Sequence, residues 1–156
     1  MTVDTLIYGL VSEEADQKAA FDVRRQVFVE EQGISGQLEF DGLDEEAIQM
    51  AVKNGDSVIG TARVRFLADG QAKIERMAIL KPFRRKGIGR GVISFLIGEL
   101  KNRQTKYVIL HAQHDVVPFY RSCGFEEVGN PFWEAGIKHL RMQMWISPRL
   151  EDLSKV

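Results

Sequence analysis

The most constraining feature of this chain is a short basic segment with two glycines, placed between an apolar run and an amphipathic helix. Residues 81–90 read KPFRRKGIGR; they follow the apolar-rich run 74–80 and lead into residues 91–100, where apolar side chains recur every three to four positions. The first N–H groups of a helix lack intrahelical partners, and the helix dipole favours negative charge there. Gly87 and Gly89 have no Cβ, so the backbone can approach a ligand closely. The pattern predicts a strand, a phosphate-binding loop and a helix in succession.

Length and composition are those of an ordinary globular protein. The 156 residues fit one domain, which we expect over residues 1–147, followed by a polar tail over 148–156. The net charge of −1 argues against a protein that coats nucleic acid or an anionic membrane. No apolar run approaches about 18 residues, and no signal peptide is expected. The single cysteine, Cys123, excludes an internal disulfide and favours a cytoplasmic location.

Periodicity and turn signals predict a mixed α/β order of elements. A first strand over 4–11 should precede a helix that Ser12 caps and Gly33 ends. Three antiparallel strands are then expected, with a hairpin turn at Asn54-Gly55. These strands lie at 47–53, 58–66 and 72–80; the later elements are a helix to about 103, a strand over 107–113, a short helix over 116–123 and strands over 125–128 and 139–146. A meander followed by strand, loop, helix and strand is typical of mixed α/β proteins.

Two motifs carry a family resemblance. The pattern Arg84-x-x-Gly87-x-Gly89 resembles the acyl-CoA pyrophosphate loop of the GCN5-related N-acetyltransferase family, whose motif is Gln/Arg-x-x-Gly-x-Gly/Ala. It is neither a Walker pattern nor a dinucleotide fingerprint. Val117-Pro-Phe-Tyr-Arg-Ser-Cys-Gly-Phe125 resembles the family segment Ala-x-x-Phe-Tyr-x-x-x-Gly-Phe after the fifth strand. The resemblance implies the acyl-CoA N-acyltransferase fold, with a mostly antiparallel seven-stranded sheet flanked by helices.

The resemblance also implies a co-substrate and its binding residues. Acetyl-CoA would donate its acetyl group to a primary amine of a small molecule or peptide, by direct attack in a ternary complex and without a metal. In the family, pantetheine enters between the fourth and fifth strands, which maps its amide partners onto Met77, Ala78 and Ile79. Gln113 stands where the family often has an Asn that binds pantetheine. The implied phosphate-loop residues are Arg84, Arg85, Lys86, Gly87, Ile88, Gly89 and Arg90.

Acyl transfer to an amine needs a proton acceptor and a proton donor. Tyr120 stands where the family commonly has its acid, and a Tyr hydroxyl, with an ordinary pKa of about 10, keeps its proton at neutral pH. The candidate bases are Glu75 on the fourth strand, His111 on the fifth and His139 on the seventh. Regular alternation would place Glu75, Met77 and Ile79 on one face. We expect His111 to be structural, and a chain of waters remains an alternative to a single base.

Narrower similarities leave two other functions open. Arg24-Arg-Gln-Val-Phe-Val-Glu-Glu-Gln32, with Phe132-x-x-x-Gly136-Ile-x-His139-x-x-Met142, is similar to an uncharacterised bacterial subgroup of small acetyltransferases. The first piece, followed by Glu39-x-Asp41-x-x-Asp44, also resembles acyl-homoserine-lactone synthases, which use acyl-carrier protein and S-adenosylmethionine. A non-catalytic acyl-CoA-binding sensor would keep the loop, but the presence of Tyr120 argues against that class. No pattern suggests a metal or nucleic acid, and a homodimer remains open.

Opposite charges occupy separate parts of the sequence. Residues 76–98 contain six bases and no acid, whereas residues 26–52 contain seven acids and no Lys or Arg. The acids are Glu30, Glu31, Glu39, Asp41, Asp44, Glu45 and Glu46. Charge runs are usually solvated faces, but the basic block coincides with the predicted loop. If the acids lack counter-charges, the acidic segment should border the acceptor side and attract a cationic amine.

Overall fold

The structure is a computed structural model that describes residues 5–147. Its strands are β1 Leu6–Leu10, β2 Ala47–Asn54, β3 Ser57–Phe66, β4 Gln71–Ile79, β5 Tyr107–Gln113, β6 Glu126–Glu134 and β7 Ile137–Trp145. Its helices are α1 Glu14–Arg24, α2 Gly36–Glu39, α3 Ile88–Asn102 and α4 Val117–Ser122. Helix α1 continues into a π-helix over Arg25–Glu31. Short 3₁₀ turns occur at Asp44–Glu46, Ala68–Gly70, Lys81–Phe83 and His114–Val116.

All seven strands form one sheet in the order β1-β2-β3-β4-β5-β7-β6. The pairs β1–β2, β2–β3, β5–β7 and β6–β7 are antiparallel, and β4 pairs in parallel with β5 over residues 71–74 and 107–110. The mixed α/β fold with a mostly antiparallel seven-stranded sheet is therefore confirmed. The chain divides into two compact units, one over 5–65 and 75–95 and one over 66–74 and 96–147. The single-domain assignment stays a prediction, and the tail over 148–156 lies outside the described residues.

In the first unit, the stripe of apolar side chains on α1 and the π-helix packs against the sheet. Its core cluster consists of Val23, Val27, Phe28, Ala51, Val58 and Ala78, all buried. Gly33, with φ 72°, ends the helical segment as expected. The expected cap at Ser12 is wrong, because the helix begins at Glu14 and Glu13 occupies the N-cap without a side-chain bond. Acids in the first turn, Glu14 and Asp16, face the positive end of the helix dipole instead.

In the second unit, β5 is buried and pairs with β7 along its whole length, Tyr107–Gln113. Strand β6 differs from the expected range, since it runs to Glu134 and not to residue 128. The pairing of β6 with β7 shifts between Val128 and Phe132, where Gly129 takes a φ of 79°. This bulge, together with the edge position of β6, accommodates Pro131, which has no N–H to donate. The extension brings residues 132–134 into the sheet.

Candidate active site

The predicted phosphate loop lies in the first unit, between the end of β4 and the start of α3. A 3₁₀ turn over Lys81–Phe83 follows β4, and the amide of Gly91 donates to the carbonyl of Gly87 at 3.1 Å in the first turn of α3. Gly87 has φ 81°, and a Cβ there would have no atom within 4 Å. The positive φ therefore favours glycine at position 87, although a side chain there would have space around it.

Arg84, the first residue of the motif, fastens this loop to its surroundings. Its Nε donates to the Ile79 carbonyl at 2.8 Å, and its Nη1 and Nη2 donate to the Glu31 carboxylate at 2.6 and 2.8 Å. The hydrogen bond from Arg84 lowers the pKa of Glu31, against the opposing effect of burial. The exposed bases around the helix start are Arg85, Lys86 and Arg90. Arg84 therefore positions the loop, and these three side chains supply positive charge at its surface.

Tyr8 on β1 packs against the first turn of α3, a contact that the sequence did not indicate. A Cβ at position 91 would lie 2.4 Å from the Tyr8 hydroxyl oxygen and 2.6 Å from Cζ. Burial raises the pKa of the Tyr8 hydroxyl. Gly91 lies outside the loop motif, so its role in admitting this ring was not readable from the pattern.

Eight charged side chains of the first unit form an arginine–carboxylate cluster beside β3 and β4. The members are Arg24, Arg63, Arg65, Arg76, Glu39, Asp41, Asp44 and Glu75. The Arg24 and Arg63 side chains are fully buried, and each binds two or more carboxylates. Hydrogen bonds from Arg63 lower the pKa of Asp41 far below its usual range, although burial opposes the shift. Such a cluster is stable only because every buried charge has partners.

Glu75, a candidate base, belongs to this cluster. Its Oε2 accepts from Arg63 Nε at 3.0 Å and also from Arg63 Nη2, while its Oε1 accepts from Arg65 Nη2 at 2.7 Å. The carboxylate is nearly buried, with 7% of its side chain exposed. Both oxygens are engaged by guanidinium groups, so taking up a proton would break charge-assisted bonds. These contacts favour a structural role for Glu75 over direct proton transfer.

Strand β4 is irregular at the position where pantetheine amides are expected to bind. Arg76 has φ 55°, the left-handed conformation that non-glycine residues rarely adopt. In a regular strand, Glu75 and Arg76 would point to opposite faces, yet both contribute to the arginine–carboxylate cluster. The alternation assumed for Glu75, Met77 and Ile79 therefore does not continue through Arg76. Strained backbone of this kind is concentrated at functional sites.

The acidic segment 26–52 is not without counter-charge. Five of its seven acids pair with arginines that lie outside the segment. The pairs are Glu30 with Arg25, Glu31 with Arg84, Glu39 with Arg24, Asp41 with Arg63 and Asp44 with Arg24. The premise of an unpaired acidic region was wrong, because most of the balancing arginines are distant in sequence. The segment consequently gives no reason to expect a cationic acceptor.

Tyr120 lies on α4 in the second unit, half-buried between two other rings. Phe119 and Phe125 contact it edge to face, with ring centroids 5.0 and 6.0 Å away. Burial raises the pKa of the Tyr120 hydroxyl well above its ordinary value, and the nearby charge of Cys123 adds to the shift. The hydroxyl therefore carries its proton at neutral pH, as a proton donor must.

Four residues of the second unit form a histidine–glutamate cluster: His111 on β5, Phe132 and Glu134 on β6, and His139 on β7. His111 Nδ1 lies 3.3 Å from Glu134 Oε1, and His139 Nε2 lies 3.8 Å from Glu134 Oε2. The Phe132 ring contacts both imidazoles, at 4.9 and 5.9 Å between centroids. The hydrogen bond with His111 lowers the pKa of Glu134 despite burial, and the charges of both histidines and Lys73 add to the effect.

His139, another candidate base, is tightly held in this cluster. It is 7% exposed, and its Nδ1 is 2.7 Å from the carbonyl of Ile137, which can only accept. Nδ1 therefore carries the proton, and Nε2 faces Glu134. Both ring nitrogens have neighbours, which favours a supporting role. Across the described chain, no group of three His, Cys, Asp or Glu side chains converges closely enough to hold a metal ion.

Sequence reasoning missed Phe132 and Glu134 as site residues. Both lie in the part of β6 beyond residue 128, which the Gly129-Asn130-Pro131 run made resemble a loop. A signal was present, since Phe132 and His139 belong to the motif shared with small bacterial acetyltransferases. The motif did not indicate what these residues do, and only the pairing of β6 with β7 brings Glu134 close to the two imidazoles.

Comparison with known proteins agrees with this fold and these motifs. A profile of the acetyltransferase (GNAT) domain matches residues 11–146. YjcF of Bacillus subtilis, named as an uncharacterized N-acetyltransferase, is 35% identical over 134 residues, which cover 85% of this chain and 95% of YjcF. YyaT of the same organism, named as an uncharacterized protein, is 36% identical over 140 residues, covering 88% of this chain and 94% of YyaT. The chain belongs to the GNAT acetyltransferase family.

Solved structures support the fold. An acyl-CoA N-acyltransferase from Pseudomonas aeruginosa superimposes with a TM-score of 0.80 at 23% identity, covering 90% of this chain and 99% of that protein. A GNAT family acetyltransferase from Elizabethkingia anophelis with acetyl-CoA bound gives 0.73 at 16% identity, covering 91% and 99%. At these identities the likeness establishes the acyl-CoA N-acyltransferase fold. Within residues 5–147, no helix combines the length and apolar character needed to cross a bilayer.

Proposed function

We propose that this protein is an N-acetyltransferase that moves the acetyl group of acetyl-CoA to a primary amine of a small molecule or peptide. The observation that carries the proposal is the loop over residues 84–89, with glycine at φ 81° and exposed bases at the start of a long helix. A helix start of this kind suits a pyrophosphate, because backbone N–H groups and the helix dipole act together. Family membership makes acyl-CoA the matching ligand.

The cofactor residues follow from the loop and from β4. We assign the phosphates to the backbone from Gly87 to Arg90 and to the side chains of Arg85 and Lys86, with Arg84 holding the loop in place. Pantetheine would pair with the backbone of Met77, Ala78 and Ile79, next to the strained Arg76. The Gln113 amide would contact the same group. The acetyl-CoA complex of the Elizabethkingia protein supports a CoA ligand for this fold.

Tyr120 is assigned the role of proton donor to the departing thiolate. The amine nitrogen forms a bond to the thioester carbonyl carbon while the carbon–sulfur bond breaks, and the sulfur leaves with the electron pair. An ordinary Tyr hydroxyl, with a pKa of about 10, is already protonated at neutral pH, and burial raises the pKa of Tyr120 further. Direct attack in a ternary complex needs no covalent acyl-enzyme, so the sequence of bond changes involves only substrate atoms and transferred protons.

Two measurements test this function. Calorimetric titration with CoA should give saturable binding, and acetyl-CoA incubated with amines, polyamines and peptides should release free thiol in an amine-dependent manner. Absence of CoA binding would contradict the proposal. Thiol release only from an acyl-carrier-protein thioester with S-adenosylmethionine would favour the lactone-synthase alternative. CoA binding without turnover of any amine would favour the sensor.

A further inference from the structure

We propose that His111 and Glu134 form a carboxylate–imidazole pair in which Nε2 of His111 accepts the proton of the attacking amine. This inference rests on the proposed N-acetyltransferase function and supplies its proton acceptor. Glu134 is a positioning residue, since it acts through the imidazole and not on the substrate.

The hydrogen bond between the two residues defines the tautomer of His111. Nδ1 lies 3.3 Å from Glu134 Oε1, and an ionised carboxylate can only accept. The lowered pKa of Glu134 keeps it ionised at neutral pH. The ring proton of neutral His111 therefore lies on Nδ1, and Nε2 presents its lone pair. A quarter of the His111 side chain is exposed, so the imidazole is not sealed from solvent.

The other candidate groups are less suitable. Guanidinium groups engage both oxygens of Glu75, and both nitrogens of His139 have neighbours. His114 is exposed at the end of β5 beside Asp115, outside the histidine–glutamate cluster. His111 combines an ionised partner on one nitrogen, an edge-to-face contact with Phe132 and partial exposure.

Strand register places this pair on the same face as the expected pantetheine contact. His111 and Gln113 are two residues apart on β5, and Gln113 pairs directly with His139 on β7. Phe132 pairs with His139 across β6–β7, and Glu134 follows it by two positions. Directly opposed residues share a face, as do residues two apart along a strand. The proton acceptor and the predicted pantetheine contact Gln113 thus share one face of the sheet.

Charged groups from three strands surround this pair. Arg141 lies directly across from His111 on β7, and the charges of Lys73 on β4 and of the two histidines help to lower the pKa of Glu134. His139 on β7, itself beside Glu134, competes for the same carboxylate.

The proton and electron changes balance. The ammonium gives one proton to His111 Nε2, and the neutral nitrogen then forms the amide bond as sulfur leaves with its electron pair. Tyr120 gives its proton to the sulfur and is reprotonated by the second proton lost from the nitrogen. His111 finally releases its proton to solvent. The products are the amide, free CoA thiol and one proton.

The first test needs no acceptor. Side-chain ¹⁵N NMR of the whole protein above the titration of the histidines should show His111 protonated on Nδ1 and unprotonated on Nε2. In Glu134→Ala, which removes the acceptor, His111 should lose this preference. An Nε2-protonated His111 in the native protein would overturn the inference, whatever the outcome for CoA binding. A failure of CoA to bind would contradict the proposed N-acetyltransferase function and would leave this tautomer measurement unaffected.

The second test uses acetyl-CoA and the amine turned over fastest in the panel above. His111→Gln should lower kcat/KM by about 10²-fold or more and abolish the acid limb of its pH profile, with CoA affinity unchanged. Glu134→Gln should also lower kcat/KM, and the double variant should be no slower than His111→Gln, since both changes remove one unit. His114→Gln is the matched control and should behave as the native enzyme. A native rate and pH profile in a folded His111→Gln variant would overturn the inference.

Discussion

At the scale of single residues, Gly87 is the position where backbone conformation matters most for the loop. Gly87→Val should weaken CoA binding strongly, because a β-branched residue at φ 81° is strained by about 1–3 kcal/mol and its side chain enters the open space before the helix start. Calorimetric titration with CoA measures the loss, and thermal unfolding measures the strain. Gly98→Ala, also in open space but inside α3, is the matched control and should bind CoA normally. Unchanged CoA affinity in Gly87→Val would remove the loop from the binding site.

Tyr120 offers a cleaner separation of chemistry from packing. In Tyr120→Phe the edge-to-face contacts with Phe119 and Phe125 remain, and only the hydroxyl is lost. We expect turnover to fall by about 10²-fold, with little change in the dissociation constant of CoA. Thiol-release kinetics under conditions where the chemical step limits the rate provide the measurement. Native turnover in this variant would exclude Tyr120 as the acid.

At the scale of elements, the contact between β1 and α3 can be tested by paired substitutions. Gly91→Ala should destabilise the protein by about 1–3 kcal/mol, because the new methyl group would overlap the Tyr8 ring. Tyr8→Phe should not relieve this, since Cζ and Cε1 are also too close, at 2.6 and 2.8 Å. Tyr8→Ala combined with Gly91→Ala should lose less stability than the two single changes add up to. Chemical denaturation compares the native protein, Tyr8→Ala, Gly91→Ala and the double variant. Strict additivity of the two losses of stability would contradict the contact.

The arginine–carboxylate cluster joins the segment containing α2 to β3 and β4. Arg63→Ala should lower the free energy of unfolding by about 3–5 kcal/mol, because it leaves Asp41 and Glu75 without their main partner in a largely buried place. Lys18→Ala, which removes an exposed pair with Glu14, is the control and should change stability by less than about 0.5 kcal/mol. Equal effects of the two substitutions in denaturant titrations would refute the assigned importance of the cluster.

The elements also show what could be read from the sequence. Strand β5 and the loop before α3 were predicted well, since apolar runs, glycines and basic residues are local signals. The partners of Glu75 and Asp41 could not be predicted, because they lie 10 to 35 positions away and are joined only by the folded sheet. The second half of β6 was missed for a related reason. The run Gly129-Asn130-Pro131 usually ends a strand, but here a bulge lets the strand continue beyond it.

At the scale of the whole molecule, the depressed carboxyl pKa values predict sensitivity to acid. The pKa values of Asp41, Glu31 and Glu134 are lower in the folded chain than in free side chains, so the folded state binds fewer protons. Their contribution to stability is complete above the unfolded values of about 4 and is lost as the pH falls through the folded values. Denaturant titrations from about pH 7 to about pH 3 should show this decline. Asp41→Asn should be less stable at neutral pH and lose less on acidification; an equal loss would contradict this account.

The arginine–carboxylate cluster also limits how this protein can change during evolution. Each central arginine binds two or more carboxylates, so replacing Arg24 or Arg63 takes a charged partner from several buried groups at once. Single changes at these positions are therefore costly, and a joint exchange of Arg63, Asp41 and Glu75 for apolar residues would still take Glu75 from Arg65 and Asp41 from Arg76. In descendants of a common ancestor, these positions should be inherited together or replaced together.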